Sequence, residues 1–228
     1  AVVRLTAVLA ATNNDSMREQ VCRALAQIAI SDEGKSACVQ TGAAVKFLAV
    51  LAATKHNGAR QQACEALSSM AVSERGRSAC IKAGAVGHLN TVLAVTKNDN
   101  VRQDACVALA RIAHSIEGKS VCIKARVVVQ LNTVLTATKD EGVREQACVA
   151  LSSIAVSSGG RSACIKAGVV GHLTTVLVAT KDDNVRQHAC VVLARIAHSM
   201  EGRSVCVKAG AVVRLTAVLA ATNNDSMR

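Results

Sequence analysis

AVGHLNTVLAVTKNDNVRQDACVALARIAHSIEGKSVCIKAR, residues 85–126, decides the fold, because the chain writes the same text again every 42 residues. Copies start at Ala1, Ala43, Ala85, Val127, Val169 and Ala211. The cysteines mark the period without any alignment. One series runs Cys22, Cys64, Cys106, Cys148, Cys190, and the other Cys38, Cys80, Cys122, Cys164, Cys206. A period of this length belongs to stacked repeat architectures, in which each unit buries its apolar face only against its neighbours. The chain is therefore one elongated domain over 1–228, with modules 1–42, 43–84, 85–126, 127–168 and 169–210 and a partial module at 211–228.

Within residues 85–126, apolar Val86, Leu89, Val92 and Leu93 recur at helical spacing. Thr96–Asn100 is polar and reads as a turn. A second helix is expected from Val101, capped by Asn100, with Val101, Ala105, Cys106, Ala108, Leu109, Ile112 and Ala113 inward. In the first module, Ser16 to Glu19 has the spacing of a capping box. Gly118 reads as the stop of the second helix, and a short third one is expected over Lys119–Ala125. A glycine then breaks most modules, at Gly42, Gly84, Gly168 and Gly210. Arg126 replaces it once, either at a strained positive φ or by joining two helices.

Composition agrees with an all-α chain. Half the residues are hydrophobic, Phe47 is the single aromatic, and there is no proline. The core is thus built from small aliphatics and cysteine. The thiols sit inside apolar patterns, without zinc-type spacing, so they read as free and buried rather than as disulfides or metal ligands. No metal or other cofactor is expected, and the thiols point to a reducing, intracellular compartment (cytoplasm or nucleus). No uncharged apolar stretch is long enough for a membrane span, and there is no signal-peptide pattern. A net charge of +11 attracts acidic peptides, nucleic acid or anionic lipid, or simply keeps the surface solvated.

The text Ala-Gly-Ala-Val-x-x-Leu-x-x-Val-Leu, then Asn-Val-Arg-Gln-x-Ala-Cys-x-Ala-Leu-x-x-Ile-Ala, then Gly-Lys-Ser-x-Cys-Ile-Lys-Ala-Gly resembles an armadillo repeat, module after module along the whole chain. The resemblance implies a right-handed α-solenoid superhelix of 42-residue, three-helix repeats, with the third helices lining a concave groove. In that register the chain opens on a second helix, and Arg228 falls just inside a third. The HEAT repeat, with two helices per module, is the alternative.

Armadillo domains that hold extended peptides carry a Trp and, one helical turn on, an Asn along the groove. Here the first position holds Arg23, Glu65, Val107, Val149 and Val191, and the second Gln27, Ser69, Arg111, Ser153 and Arg195. No Trp and no Asn remains, so the ladder for nuclear-localisation signals is missing. The valines offer a small apolar track beside Arg111 and Arg195, and His114 and His198 lie three residues beyond those arginines. Guanidinium groups so placed suit the carboxylates of an acidic segment. The groove is expected to be basic, and the chain to be a protein-interaction scaffold for an extended or helical acidic segment. The alternative is a structural or engineered array with no evolved ligand.

Periodic Lys35, Lys119, Arg161, Arg60, Arg102, Arg144 and Arg186 could track phosphates, but base-stacking aromatics are missing, so nucleic acid is the minor reading. Nothing in the repeated frame supports catalysis. Two larger periods are present. The third and fifth modules match at 31 of 42 positions and the third and fourth at 24, which suggests that an 84-residue pair was copied. Residues 1–18 and 211–228 are identical, whereas 43–60 matches 1–18 at 9 of 18 positions. The duplication suggests either a window on a longer array or an assembled chain. Neither end carries a polar capping repeat, so end-to-end association is expected through Val2, Leu5, Val8 and Leu9 and through Val212, Leu215, Val218 and Leu219.

Overall fold

The computed structural model describes residues 1–221, and among these it forms sixteen α-helices. In chain order they are α1 (Val2–Ala11), α2 (Asp15–Ile28), α3 (Asp32–Gln40), α4 (Ala43–Ala53), α5 (Asn57–Met70), α6 (Glu74–Lys82), α7 (Ala85–Val95) and α8 (Asp99–Ile112). There follow α9 (Ile116–Lys124), α10 (Val127–Ala137), α11 (Glu141–Ala155), α12 (Ser158–Lys166), α13 (Val169–Ala179), α14 (Asp183–Ile196), α15 (Met200–Lys208) and α16 (Ala211–Ala221). Arg228, expected inside a third helix, lies outside the described residues.

Three parallel stacks result. The long helices α2, α5, α8, α11 and α14 pack each on the next, and so do the module-opening helices α4, α7, α10 and α13, which are the second helices of the expected repeat register, and the short helices α3, α6, α9, α12 and α15. α1 and α16 extend the second-helix stack at either end, against α4 and α13. The helix-forming reason is the same in each module. Apolar residues at i, i+3, i+4 and i+7 give each helix a stripe that it can bury only against neighbours. Leu25, Leu67, Leu109, Leu151 and Leu193 and the cysteines of the long helices form the seam between layers, and all seven inward residues expected from Val101 to Ala113 are fully buried.

The helix starts differ from the sequence reading. α8 is capped by Asn98, whose side chain accepts from the Val101 amide at 3.0 Å, not by Asn100. α2 is capped by Asn14 through the Met17 amide at 2.9 Å, so Ser16 belongs to the helix and forms no capping box. The reason is a threonine two residues before each cap. Thr96 Oγ1 accepts the Asn98 amide at 3.2 Å, and Thr12, Thr54, Thr138 and Thr180 do the same for Asn14, His56, Asp140 and Asp182. The hydroxyl fixes the entry angle and sets the cap two residues earlier than the Val101 pattern suggests.

Gly118 also has a different role. α8 has already ended at Ala113, Ser115 caps α9, and Gly118 lies inside α9. A Cβ there would sit 1.9 Å from the Ile112 carbonyl oxygen, and the equivalent glycines Gly34, Gly76, Gly160 and Gly202 face the same obstacle. The residue is small so that the short helix can cross directly over the end of the long one. The short helix accordingly starts earlier than expected, at Ile116 rather than Lys119.

Arg126 is left-handed, with φ 57°, where four other modules have glycine at positive φ. The two helices are not joined. We expect Arg126→Gly to stabilise the fold by about 1 kcal/mol, read as a rise in the urea midpoint at unchanged slope.

The terminal faces are only partly as expected. Val2, Leu9 and Val218 are buried within the chain, because α1 lies against α2, α3 and α4, and α16 against α13 and α15. Leu5 and Leu215 are half-buried, and Val8 and Val212 are exposed. The Leu219 side chain lies outside what is described. Among the described residues no single helix is long and apolar enough to cross a membrane.

Candidate functional site: the groove of long helices

The long-helix stack presents two clefts built from the residues that the repeat register singled out. The first, of about 490 Å³, lies across α5 and α8 and is lined by Glu65, Ser69, Val107 and Arg111, together with Asp104 and Lys35. The second, of about 440 Å³, lies across α11 and α14. It brings His114, Val149, Ser153, Val191 and Arg195 together with Lys119 and His188. Arg23 and Gln27 are exposed on α2, and His198 is exposed in the turn after α14; none of the three lines these clefts.

The side chains differ in how free they are. Arg23 is paired with Glu19 at 2.8 Å on the same helix. Ser153 is buried and its hydroxyl donates to the Val149 carbonyl at 3.0 Å, so it has no proton left for a ligand. The Arg195 guanidinium donates to the Ser152 carbonyl of the preceding layer, which holds the side chain across the cleft while its remaining N–H groups stay available. His114 Nδ1 lies 2.8 Å from the Ala110 carbonyl; that oxygen can only accept, so Nδ1 is the donor in this contact.

The groove is not uniformly basic, which corrects the sequence expectation. Glu19, Glu65, Asp104 and Glu145 stand on the same stack of helices as the arginines, and Glu145 is 3.7 Å from His188 on the next layer. Asp104 was not picked out from the sequence. It occupies the repeat position that holds Gln20, Gln62, Gln146 and His188 elsewhere, and that departure from glutamine was its available signal. Burial raises the Asp104 carboxyl to about 6; the Gln61 side chain pulls it part of the way back, and the Glu65 charge pushes it further up.

With its folded pKa raised, Asp104 stabilises the fold below about pH 4, and that contribution is lost as pH rises through about 6. Asp104→Asn is therefore expected to stabilise the chain at pH 7 by on the order of 1 kcal/mol, discounted because the carboxyl is partly solvated, and to change little at pH 4. Thermal melts at the two pH values check this.

The recurrent basic residues also make contacts within the scaffold, including the cleft-lining Lys35 and Lys119. Arg102, Arg144 and Arg186 pair with Asp99, Glu141 and Asp183 one turn back at 2.9–3.1 Å. Arg60, Arg102 and Arg186 also donate to the threonine carbonyls Thr54, Thr96 and Thr180 of the loop before each long helix. Lys35 pairs with Asp32, and Lys119 and Arg161 donate to the carbonyls of His114 and Val156. The buried thiols are equally settled: burial pushes Cys106 up to about 12, which removes its nucleophilicity near neutral pH.

This architecture is that of the armadillo-type repeat proteins, an α-solenoid of three-helix modules. No protein-family model and no curated protein matches the sequence. Among solved structures, the chain is similar to an engineered protein from a structural genomics consortium at 27% identity and a TM-score of 0.92, over 99% of this chain and 93% of that one. It is also similar to a designed armadillo repeat protein in complex with the peptide (KR)4, at 23% identity and a TM-score of 0.89, over 99% and 94%. A third similar structure is of computationally designed armadillo repeat proteins for modular peptide recognition, at 22% identity and a TM-score of 0.88, over 100% and 95%.

Proposed function

We propose that the chain is a non-catalytic scaffold that holds an extended segment of a partner protein along its long-helix groove. The observation that carries this reading is the pair of clefts in line on one stack, each with an apolar valine floor and charged walls. Solved structures of the same fold include proteins designed for peptide recognition, which supports the same use of the groove. The free thiols suit a reducing, intracellular setting.

The charges refine the partner. Arg195, Lys119 and the two histidines of the second cleft favour a carboxylate on the bound segment. The first cleft sets Glu65 and Asp104 against Arg111 and Lys35, so it favours polar groups of either sign rather than a carboxylate alone. The segment is thus acidic at the α11–α14 end rather than throughout. Fluorescence anisotropy tests this with labelled peptides, one acidic at a single end, one acidic throughout, and (Lys-Arg)4. The first should bind most tightly, and Arg195→Glu should weaken it at least about tenfold, a loss of roughly 1.4 kcal/mol. Absence of saturable binding by any of the three would instead favour an engineered array without a ligand, a reading supported by the engineered neighbours and the 18-residue duplication.

A further inference from the structure

We propose that the two clefts are one binding unit used twice, two modules apart, and that Glu65 and Asp104 make the two copies take different groups of one extended segment: a carboxylate in the second cleft and a carboxamide in the first. This selectivity rests on the peptide-groove reading above and adds to it a register and a second anchoring group.

Each residue that lines the first cleft has its counterpart in the second, 84 residues on. Ser69 corresponds to Ser153, Val107 to Val191 and Arg111 to Arg195. Only three positions differ in type: Ile30 against His114, Glu65 against Val149, and Asp104 against His188. The long helices explain the two-module pitch, because they alternate. α5 and α11 carry the serine pairs Ser68–Ser69 and Ser152–Ser153, whereas α8 carries Ala110 and Arg111, and α14 carries Ala194 and Arg195. The short serines leave a hollow on the earlier layer. The arginine of the next layer walls it, as Arg195 does by donating to the Ser152 carbonyl. Between α8 and α11 the order is reversed, with the arginine on the earlier layer and the serines on the later one.

Charge then separates the two copies. Both hold a lysine and an arginine, Lys35 with Arg111 and Lys119 with Arg195. In the first cleft Glu65 and Asp104 stand against them, and Lys35 is also paired with Asp32 at 2.8 Å. In the second cleft Val149 and His188 replace the two carboxylates, and Ile116 takes the place of Asp32, so Lys119 donates instead to the His114 carbonyl. Glu145 stands beside this cleft, 3.7 Å from His188, but among the described residues no carboxylate lines it. A ligand carboxylate is therefore drawn to the second cleft and repelled by the first. A carboxamide suits the first, because one group accepts from Arg111 and Lys35 and donates to Glu65 and Asp104. Two layers of packed helices put the clefts roughly 16–20 Å apart. An extended chain covers that span in about five or six residues.

Fluorescence anisotropy on the full chain tests this, with labelled glycine–serine peptides that carry one Gln and one Glu, in either order, at offsets from about three to about eight residues. One order at an offset of about five or six should bind at least about tenfold more tightly than the same pair at about three. Replacing its Gln by Glu should weaken binding about tenfold. Glu65→Val combined with Asp104→His copies the second cleft into the first, and the second cleft shows that the fold accepts both side chains. In that variant the change from Gln to Glu should strengthen binding. The reciprocal pair, Val149→Glu with His188→Asp, should remove the preference for Glu at the other anchor. Equal affinity at every offset would overturn the two-cleft register while leaving peptide binding intact. So would a Glu65→Val/Asp104→His chain that keeps the wild-type preference. Absence of saturable binding by every peptide would overturn both the register and the groove itself.

Discussion

Gly118→Ala is expected to cost the folded chain about 3 kcal/mol, the upper end of what overpacking usually costs. The added methyl would sit 1.9 Å from the Ile112 carbonyl oxygen and 2.7 Å from its carbon, and both are backbone atoms that no rotamer change can move aside. α9 would have to lift from the end of α8, opening the contact that seats the short-helix stack. Gly87→Ala is the matched control. Gly87 lies within α7 with nothing within 4 Å of a new Cβ, so alanine there should stabilise the fold by about 0.5–1 kcal/mol. Urea unfolding of the two variants should thus move the midpoint in opposite directions, although both make the same chemical change.

Phe47→Ala should cost about 3–5 kcal/mol. Phe47 is the chain's one aromatic, is fully buried in α4, and occupies the position of Leu89, Leu131 and Leu173. Truncation leaves a cavity in a core of small, close-packed side chains with little freedom to collapse. Phe47→Leu restores the residue that the other modules use and should cost less than about 1.5 kcal/mol. Because a solenoid unfolds in units, hydrogen exchange should show the loss of protection centred on α4 and its neighbours α1, α5 and α7.

The fold was legible because it is periodic: ten cysteines at two fixed phases give the module, and the apolar stripes give the helices. The local chemistry was less legible, for reasons that can be named. The sequence reading places the cap at Asn100, whereas Asn98 is the cap, with its amide held by the Thr96 hydroxyl, a contact that the apolar stripe does not reveal. A glycine that ends a helix and one that lets two helices touch look the same in sequence; the Ile112 carbonyl comes to face Gly118 only after the chain has turned. In the groove, the register identified positions but not their occupancy. Ser153 lies on α11 at the second cleft, yet its hydroxyl is bound to the Val149 carbonyl one turn back. Asp104 gains its raised pKa from packing α5 on α8, which no single module contains.

The central claim is that each 42-residue module adds one layer to an open stack of long helices. Pairwise spin-label distances test it most directly, with one label at Ile30 and the other in turn at Val72, His114, Val156 and His198, all exposed at equivalent positions. Cys190, which is only half-buried, would be replaced by serine to keep labelling specific. The distance should grow by roughly 8–10 Å per module, reaching about 30–40 Å at His198. Distances that level off or shorten after the second module would contradict the stack.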